Sequence, residues 1–154
     1  MQFTAPEQSP VTPVIIPNNS FWPDLDLAKF RSAMRVDGTV TPERLKQVVL
    51  TAMSEVNAEL YPWRERQEVA GYNGLGDVPA EKLAGKSARL HHYENAVWCW
   101  TRAVLNERYS DFDATASGAK RGETLEDASG DLWRDARWAI SRVQDLPHIT
   151  VELI

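Results

Sequence analysis

From Leu90 to Tyr109 the chain reads LHHYENAVWCWTRAVLNERY, and the middle of this run is apolar on every side. Leu90, Tyr93, Val97, Thr101, Val104 and Leu105 recur at helical spacing on one face, while Ala96, Cys99, Trp100 and Ala103 fill another. A helix that is apolar around its central turns is not a surface helix, so the pattern predicts the middle rod of a bundle, covered on at least two sides. Its length of about 30 Å is a domain diameter. A membrane span has similar length, but Glu94, Arg102, Glu107 and Arg108 interrupt the run and exclude one.

Around this rod the pattern predicts shorter elements. Asp24 or Asp26 caps a first helix that runs to about Arg35, with Leu27, Phe30 and Met34 inward, and Asp37-Gly38 turns the chain. Thr41 followed by Pro42 starts a second helix, since Thr accepts from orphan amides and Pro sits where no N–H is needed. Leu45, Val48, Val49, Ala52, Met53, Val56 and Leu60 form its stripe, and Pro62 predicts a kink or break near Tyr61. Gly71 to Gly85 reads as a loop with a short turn at Ala80 to Leu83. Ser110 to Glu123, almost without apolar residues after Phe112, reads as a mobile surface loop. The last helix, from about Leu125 to Val143, puts Leu125, Ala128, Leu132, Ala136, Ala139, Ile140 and Val143 on one face. Trp133 and Trp138 flank that stripe, each four residues from an arginine (Arg137 and Arg134) on which it can stack. After Pro147 the tail from His148 to Ile154 alternates like a strand.

The expected architecture is thus all-α, a bundle of about four helices over residues 24–147 with a central buried helix, an extended arm over 1–23 and a short extended or β tail over 148–154. The arm holds Pro6, Pro10, Pro13, Pro17 and Pro23 among polar residues, a composition that favours extended chain and gives too few apolar groups for a core. It is expected to become ordered only on another surface, through Val14, Ile15 and Ile16, so that deleting residues 1–17 leaves the monomer's stability nearly unchanged. Phe21 and Trp22 anchor the arm to the body.

Composition narrows the chemistry. With 154 residues and six tryptophans the chain can bury a core without disulfides or metals. A net charge of −5 argues against a general basic surface for nucleic acid. Cys99 stands alone between Trp98 and Trp100, which predicts a buried, inert thiol. No apolar run behind a basic start marks a signal peptide, so the protein is expected to stay where it is made. His91, His92 and Glu94 have a spacing used in metal-binding bundles, yet the other helices offer Glu55 and Glu59 and no histidine; His148 is in the tail. Packed or solvated histidines are the plainer reading. Glu123, Glu126, Asp127 and Asp131, with Arg134 and Arg137 behind them, make a solvated helix face rather than a nuclease centre. There is no Gly-rich phosphate loop and no nucleophile elbow, so no catalytic residue, metal or cofactor is assigned.

The runs FWPDLDLAKFRSAMRVDGTVTPERL, SEVNAELYPWR, AGYNGLGDVPAEKLAGKS, NERYSDFDATASGAKRGETLE and DLWRDARWAISRV occur in collinear order, and together they resemble the head completion (stabilisation) family of contractile-tailed phages, the gene L products. The resemblance spans roughly residues 20 to 154. It implies a non-enzymatic, helical head–tail adaptor of the virion that joins the portal vertex after DNA packaging. Its partners would be the portal protein, neighbouring copies in a dodecameric ring matching the portal, a tail-side connector or terminator protein, and packaged DNA passing through without sequence-specific binding. On that reading Ile149, Val151 and Leu153 of the tail meet the portal. Ser117, Lys120 and Arg121 of the polar loop face the channel, and Val14, Ile15 and Ile16 meet a neighbour. The alternative is a helical DNA-packaging or regulatory factor that binds nucleic acid.

Overall fold

A computed structural model describes residues 12–36, 39–110 and 116–147, with side chains over 12–36, 39–108 and 128–147. The helix on which the rest packs is α4 (Ala88–Ser110), where Tyr93, Ala96, Val97, Trp98, Cys99, Thr101, Ala103, Leu105 and Asn106 are all buried. The all-round apolar pattern predicts this. α5 (Ala116–Val143) lies along one side, and α1 (Leu27–Met34) and α2 (Pro42–Glu59) cover others. Ser129 of α5 meets Ala103 of α4, Trp133 meets Trp100, and Val143 meets Arg89, so the two long helices run antiparallel. Small residues at the seam, Ala96, Ala103, Ser129, Ala136 and Ala139, let the helices approach closely.

α2 begins as the sequence dictates, with the Thr41 hydroxyl accepting from the Arg44 N–H at 3.3 Å and Pro42 in its first turn. It ends at Glu59, and α3 (Tyr61–Val69) starts directly after Leu60 with Pro62 in its first turn, which is the expected break. The glycine-rich loop is more ordered than expected. In place of a turn at Ala80 to Leu83 it holds a 3-10 turn (Leu75–Asp77) and a hairpin of β3 (Lys82–Leu83) and β4 (Lys86–Ser87). Ala84 and Gly85 close that hairpin with φ of 51° and 76°, the two left-handed residues that such a connection demands.

Two expectations need correction. The first is the N-terminal arm. β1 (Ile15–Ile16) pairs antiparallel with β2 (Leu25–Asp26), Ile15 opposite Asp26 and Ile16 opposite Leu25. Ile16 is only 3% exposed and lies in the protein's own core with Phe21 and Trp22, so it is not free to meet a neighbour; Val14 and Ile15 remain half exposed. The reason is local hydrogen bonding that composition does not show. Asn19 Oδ1 accepts from the N–H groups of Phe21 and Trp22, both at 3.0 Å, turning the two rings inward. Asp26 Oδ1 caps α1 through the Ala28 N–H and also accepts from Val14 N–H, each at 3.0 Å.

The second correction concerns the polar loop. α5 begins at Ala116, so Ser117, Lys120 and Arg121 stand on a helix rather than a loop. Gly118 and Gly122 read as loop punctuation, but Ala116, Ala119, Lys120, Arg121 and Glu123 are strong helix formers. Glycine within a helix costs only about 1 kcal/mol, which a long helix docked on α4 tolerates. The expected four-helix bundle is therefore five α-helices with two small antiparallel sheets among the described residues. Ile149, Val151 and Leu153 lie outside the described residues.

Candidate interaction surface

Arg89, in the first turn of α4, is a buried cation that gathers four parts of the chain. Its Nε and Nη2 donate to Pro79 O at 3.2 and 3.1 Å. Nη1 donates to Val143 O at the end of α5, and Nη2 pairs with Asp145 Oδ2 at 2.6 Å. The guanidinium also lies 5.4 Å over the Trp63 ring of α3. An arginine fits here because its planar fork can satisfy several acceptors while one face stacks on an aromatic. This hub holds the end of α5.

Beside it, Gly130, Trp133, Arg134, Arg137, Trp138, Ser141, Leu146 and Pro147 line an open groove of about 500 Å³. Helical spacing brings these α5 residues to one outward face. Arg134 lies 4.8 Å over the Trp138 ring, as the four-residue spacing predicts, and also pairs with Asp131 at 3.2 Å and Asp135 at 3.3 Å. Trp133 is set edge-on to Trp100 at 4.9 Å, with its Nε1 donating to Glu107. Trp138 keeps 37% of its surface and Leu146 49%, so large apolar groups remain on this face next to cations. Aromatic and arginine side chains together on an open face suit protein contact more than chemistry.

The polar clusters elsewhere join elements to one another. Tyr93 O–H donates to Asn57 Oδ1 at 2.6 Å, Asn57 Nδ2 to Asn18 Oδ1 at 3.2 Å, and Asn18 Nδ2 to the Tyr93 oxygen at 2.7 Å. This closed ring ties the N-terminal segment to α2 and α4. Above it Trp22 stacks on Tyr93 at 5.0 Å and on Trp63 at 6.3 Å. Burial drives the Tyr93 phenol well above its ordinary range, while the Asn18 and Asn57 hydrogen bonds act the other way.

The histidine and carboxylate cluster on α4 is likewise engaged. Glu94 receives Lys29 at 3.1 Å on one oxygen and Lys86 at 2.6 Å on the other, and His91 Nε2 sits 2.9 Å from Leu83 O. Among the described residues no three His, Cys, Asp or Glu side chains converge as a metal site. Burial, then the Asp135 carboxylate, pushes the Cys99 thiol up to about 11, which makes it a poor nucleophile. No described helix is long and apolar enough to cross a membrane.

Of the residues expected to make contacts, Val14 and Ile15 stand at the exposed edge of β1, far in sequence from the groove on α5. Ser117, Lys120 and Arg121 are near the start of α5, and the groove lies toward its end. Sequence reading missed Arg89 and Asp145, and Asn18 and Asn57. The available signal for the first pair was Asp145 directly after the last helical stripe, a helix-terminating position followed by Leu146 and Pro147.

The family model described as "Phage head completion protein (GPL)" matches residues 16–154. The head completion/stabilization protein of Escherichia phage P2 is 41% identical over 140 residues, covering 91% of this chain and 83% of that protein. No solved structure matches. The matched span opens at Ile16, the first buried core residue among the described residues, and it includes every element from β2 to α5. The chain therefore belongs to the phage head completion protein family.

Proposed function

We propose that this protein is a structural head–tail adaptor, whose copies form a ring under the portal after DNA packaging, stabilise the filled head and present the surface to which the tail attaches. The ring is dodecameric to match the portal, and a tail-side connector or terminator protein binds its far face. Membership of the head completion family carries this reading. The geometry supports it, because the described buried polar residues tie elements of the chain to one another, whereas α5 carries an open aromatic and arginine groove of the kind proteins use to meet.

In the assembly, Ile149, Val151 and Leu153 extend from Pro147 to the portal, adding apolar contact of about 1.5–3 kcal/mol per buried side chain before ordering costs. The groove along Trp138 and Leu146 continues that contact onto the body. Val14 and Ile15 meet a neighbouring copy. Ser117, Lys120 and Arg121, carried on the start of α5, face the channel, where two cations among acidic neighbours touch passing phosphates without holding them. The protein performs no catalysis and works at the portal vertex of the virion.

Electron microscopy of the purified protein mixed with its portal tests this. A ring of adaptor density on the portal, formed without DNA or metal, is the expected result. A protein that ignores the portal but binds duplex DNA with steep salt dependence would be a packaging or regulatory factor instead.

A further inference from the structure

Six asparagines stand in the chain, and the fold treats one of them unlike the rest. Asn57, Asn95 and Asn106 lie within α2 and α4, where the N–H groups are spent on the helix. The Asn18 and Asn57 carboxamides close the ring on Tyr93, and Asn19 Oδ1 holds the N–H groups of Phe21 and Trp22. Asn73 is exposed and precedes Gly74 in the connection between α3 and the 3-10 turn. Among the described residues no hydrogen bond engages its side chain or the Gly74 N–H, and the turn that Gly74 opens has no side-chain cap.

An untied carboxamide next to an unhindered amide nitrogen is a reactive pair. A side chain on the following residue screens its nitrogen, and glycine has none. The fold does not itself require this glycine. Its φ of −155° is ordinary extended backbone. A Cβ there would meet Phe21 O at 3.7 Å, the Asp77 carboxylate at 3.8 Å and Ser20 O at 4.0 Å, all ordinary contacts.

We infer that Asn73 is a site of spontaneous covalent modification, at which the Gly74 nitrogen attacks the Asn73 carboxamide carbon. The new C–N bond closes a cyclic imide; the bond to Nδ2 breaks, and ammonia leaves with the proton of the Gly74 amide. Water then opens the ring at either of its carbonyls. One opening gives aspartate, and the other gives isoaspartate, in which the main chain runs through the former side-chain carbon. Both products add a negative charge to the loop that holds Asp77. Isoaspartate also lengthens the main chain just ahead of Leu75, whose N–H donates to Phe21 O at 2.9 Å and whose side chain is buried. The modification therefore bears on the joint between this loop and the N-terminal segment.

Peptide mass spectrometry of the full chain, kept native or in denaturant in mildly alkaline heavy-oxygen water, tests the inference. In the native chain the mass gain of amide-to-acid exchange, with heavy oxygen taken up, is expected at Asn73. The other five asparagines should react about tenfold less or lower still, because each must first be freed by opening of the structure around it. Denaturant is expected to leave the Asn73 rate within about twofold and to raise that of Asn19, which it releases from its N–H partners. Gly74→Ala is expected to lower the Asn73 product about tenfold, since the added Cβ screens the attacking nitrogen. A native Asn73 rate about tenfold below the denatured one would show that the fold protects the site, and would overturn the inference. Product spread evenly over the asparagines, or undiminished by Gly74→Ala, would overturn it as well.

Discussion

Tyr93 shows how one side chain can hold three parts of the chain. Its hydroxyl gives to Asn57 of α2 and receives from Asn18, so Tyr93→Phe strands an amide oxygen on one side and an amide N–H bond on the other. Leaving such groups unpaired costs about 1–3 kcal/mol, and a lowered urea midpoint with unchanged slope is the expected result. The phenol also couples stability to pH. In the unfolded chain it ionises near its ordinary value of 10.0, whereas the folded pKa is raised by burial, so above pH 10 the unfolded state binds fewer protons and stability falls as pH rises. Tyr93→Phe should remove that component of the alkaline slope. Cys99, with its thiol raised to about 11, should resist alkylation at pH 8 in the native protein and react fully in denaturant. Its burial was legible from the tryptophans on either side. The Tyr93 ring was not, because Asn18 and Asn57 stand 75 and 36 residues away and no periodicity marks a polar partner.

At the scale of elements, the pairing of α4 with α5 depends on small side chains. Ala103 and Ala136 are fully buried, and Ser129 Oγ donates to Ala103 O at 3.5 Å across the seam. Ala136→Leu adds volume where the helices are close and is expected to cost about 1–3 kcal/mol by forcing them apart, read as a lower thermal midpoint; Ala128→Leu, on an exposed position of the same helix, should change it little. The sequence made α4 legible because apolar residues surround it, and it made the break at Pro62 legible because proline removes a donor and clashes with the preceding turn. It concealed the start of α5, where no apolar stripe accompanies the helix-forming residues and two glycines imitate a loop. The β3 and β4 hairpin was hidden for a related reason: two-residue strands are too short for an alternating pattern, and Ala84 is an unusual residue in a left-handed turn.

For the molecule as a whole, the N-terminal segment decides what counts as the folded unit. Proline content separates residues 1–23 from the body, yet among the described residues the folded unit already includes Val14. From there the backbone pairs with Leu25 and Asp26, Ile16 enters the core, and Asn18 joins the ring on Tyr93. The family match also starts within this segment, at Ile16. Deleting residues 1–11 keeps every one of these contacts, so that variant is the reference against which the longer deletion is read. Deleting residues 1–17 removes Ile16, whose burial is worth about 1.5–3 kcal/mol, together with the β1 pairing and the Val14 hydrogen bonds to Asp26 and Leu27. The shorter protein should unfold at distinctly lower denaturant, and α1 should loosen with it, since Asp26 both caps that helix and receives the Val14 N–H. Hydrogen exchange resolves the two effects: faster exchange confined to α1 and β2 would indicate a local clasp, whereas faster exchange reaching α4 would place the hairpin within the cooperative core. Burial of Phe21, Trp22 and Tyr93 in one aromatic stack predicts the second. Identical midpoints for the two deletions would return the segment to the status of an arm.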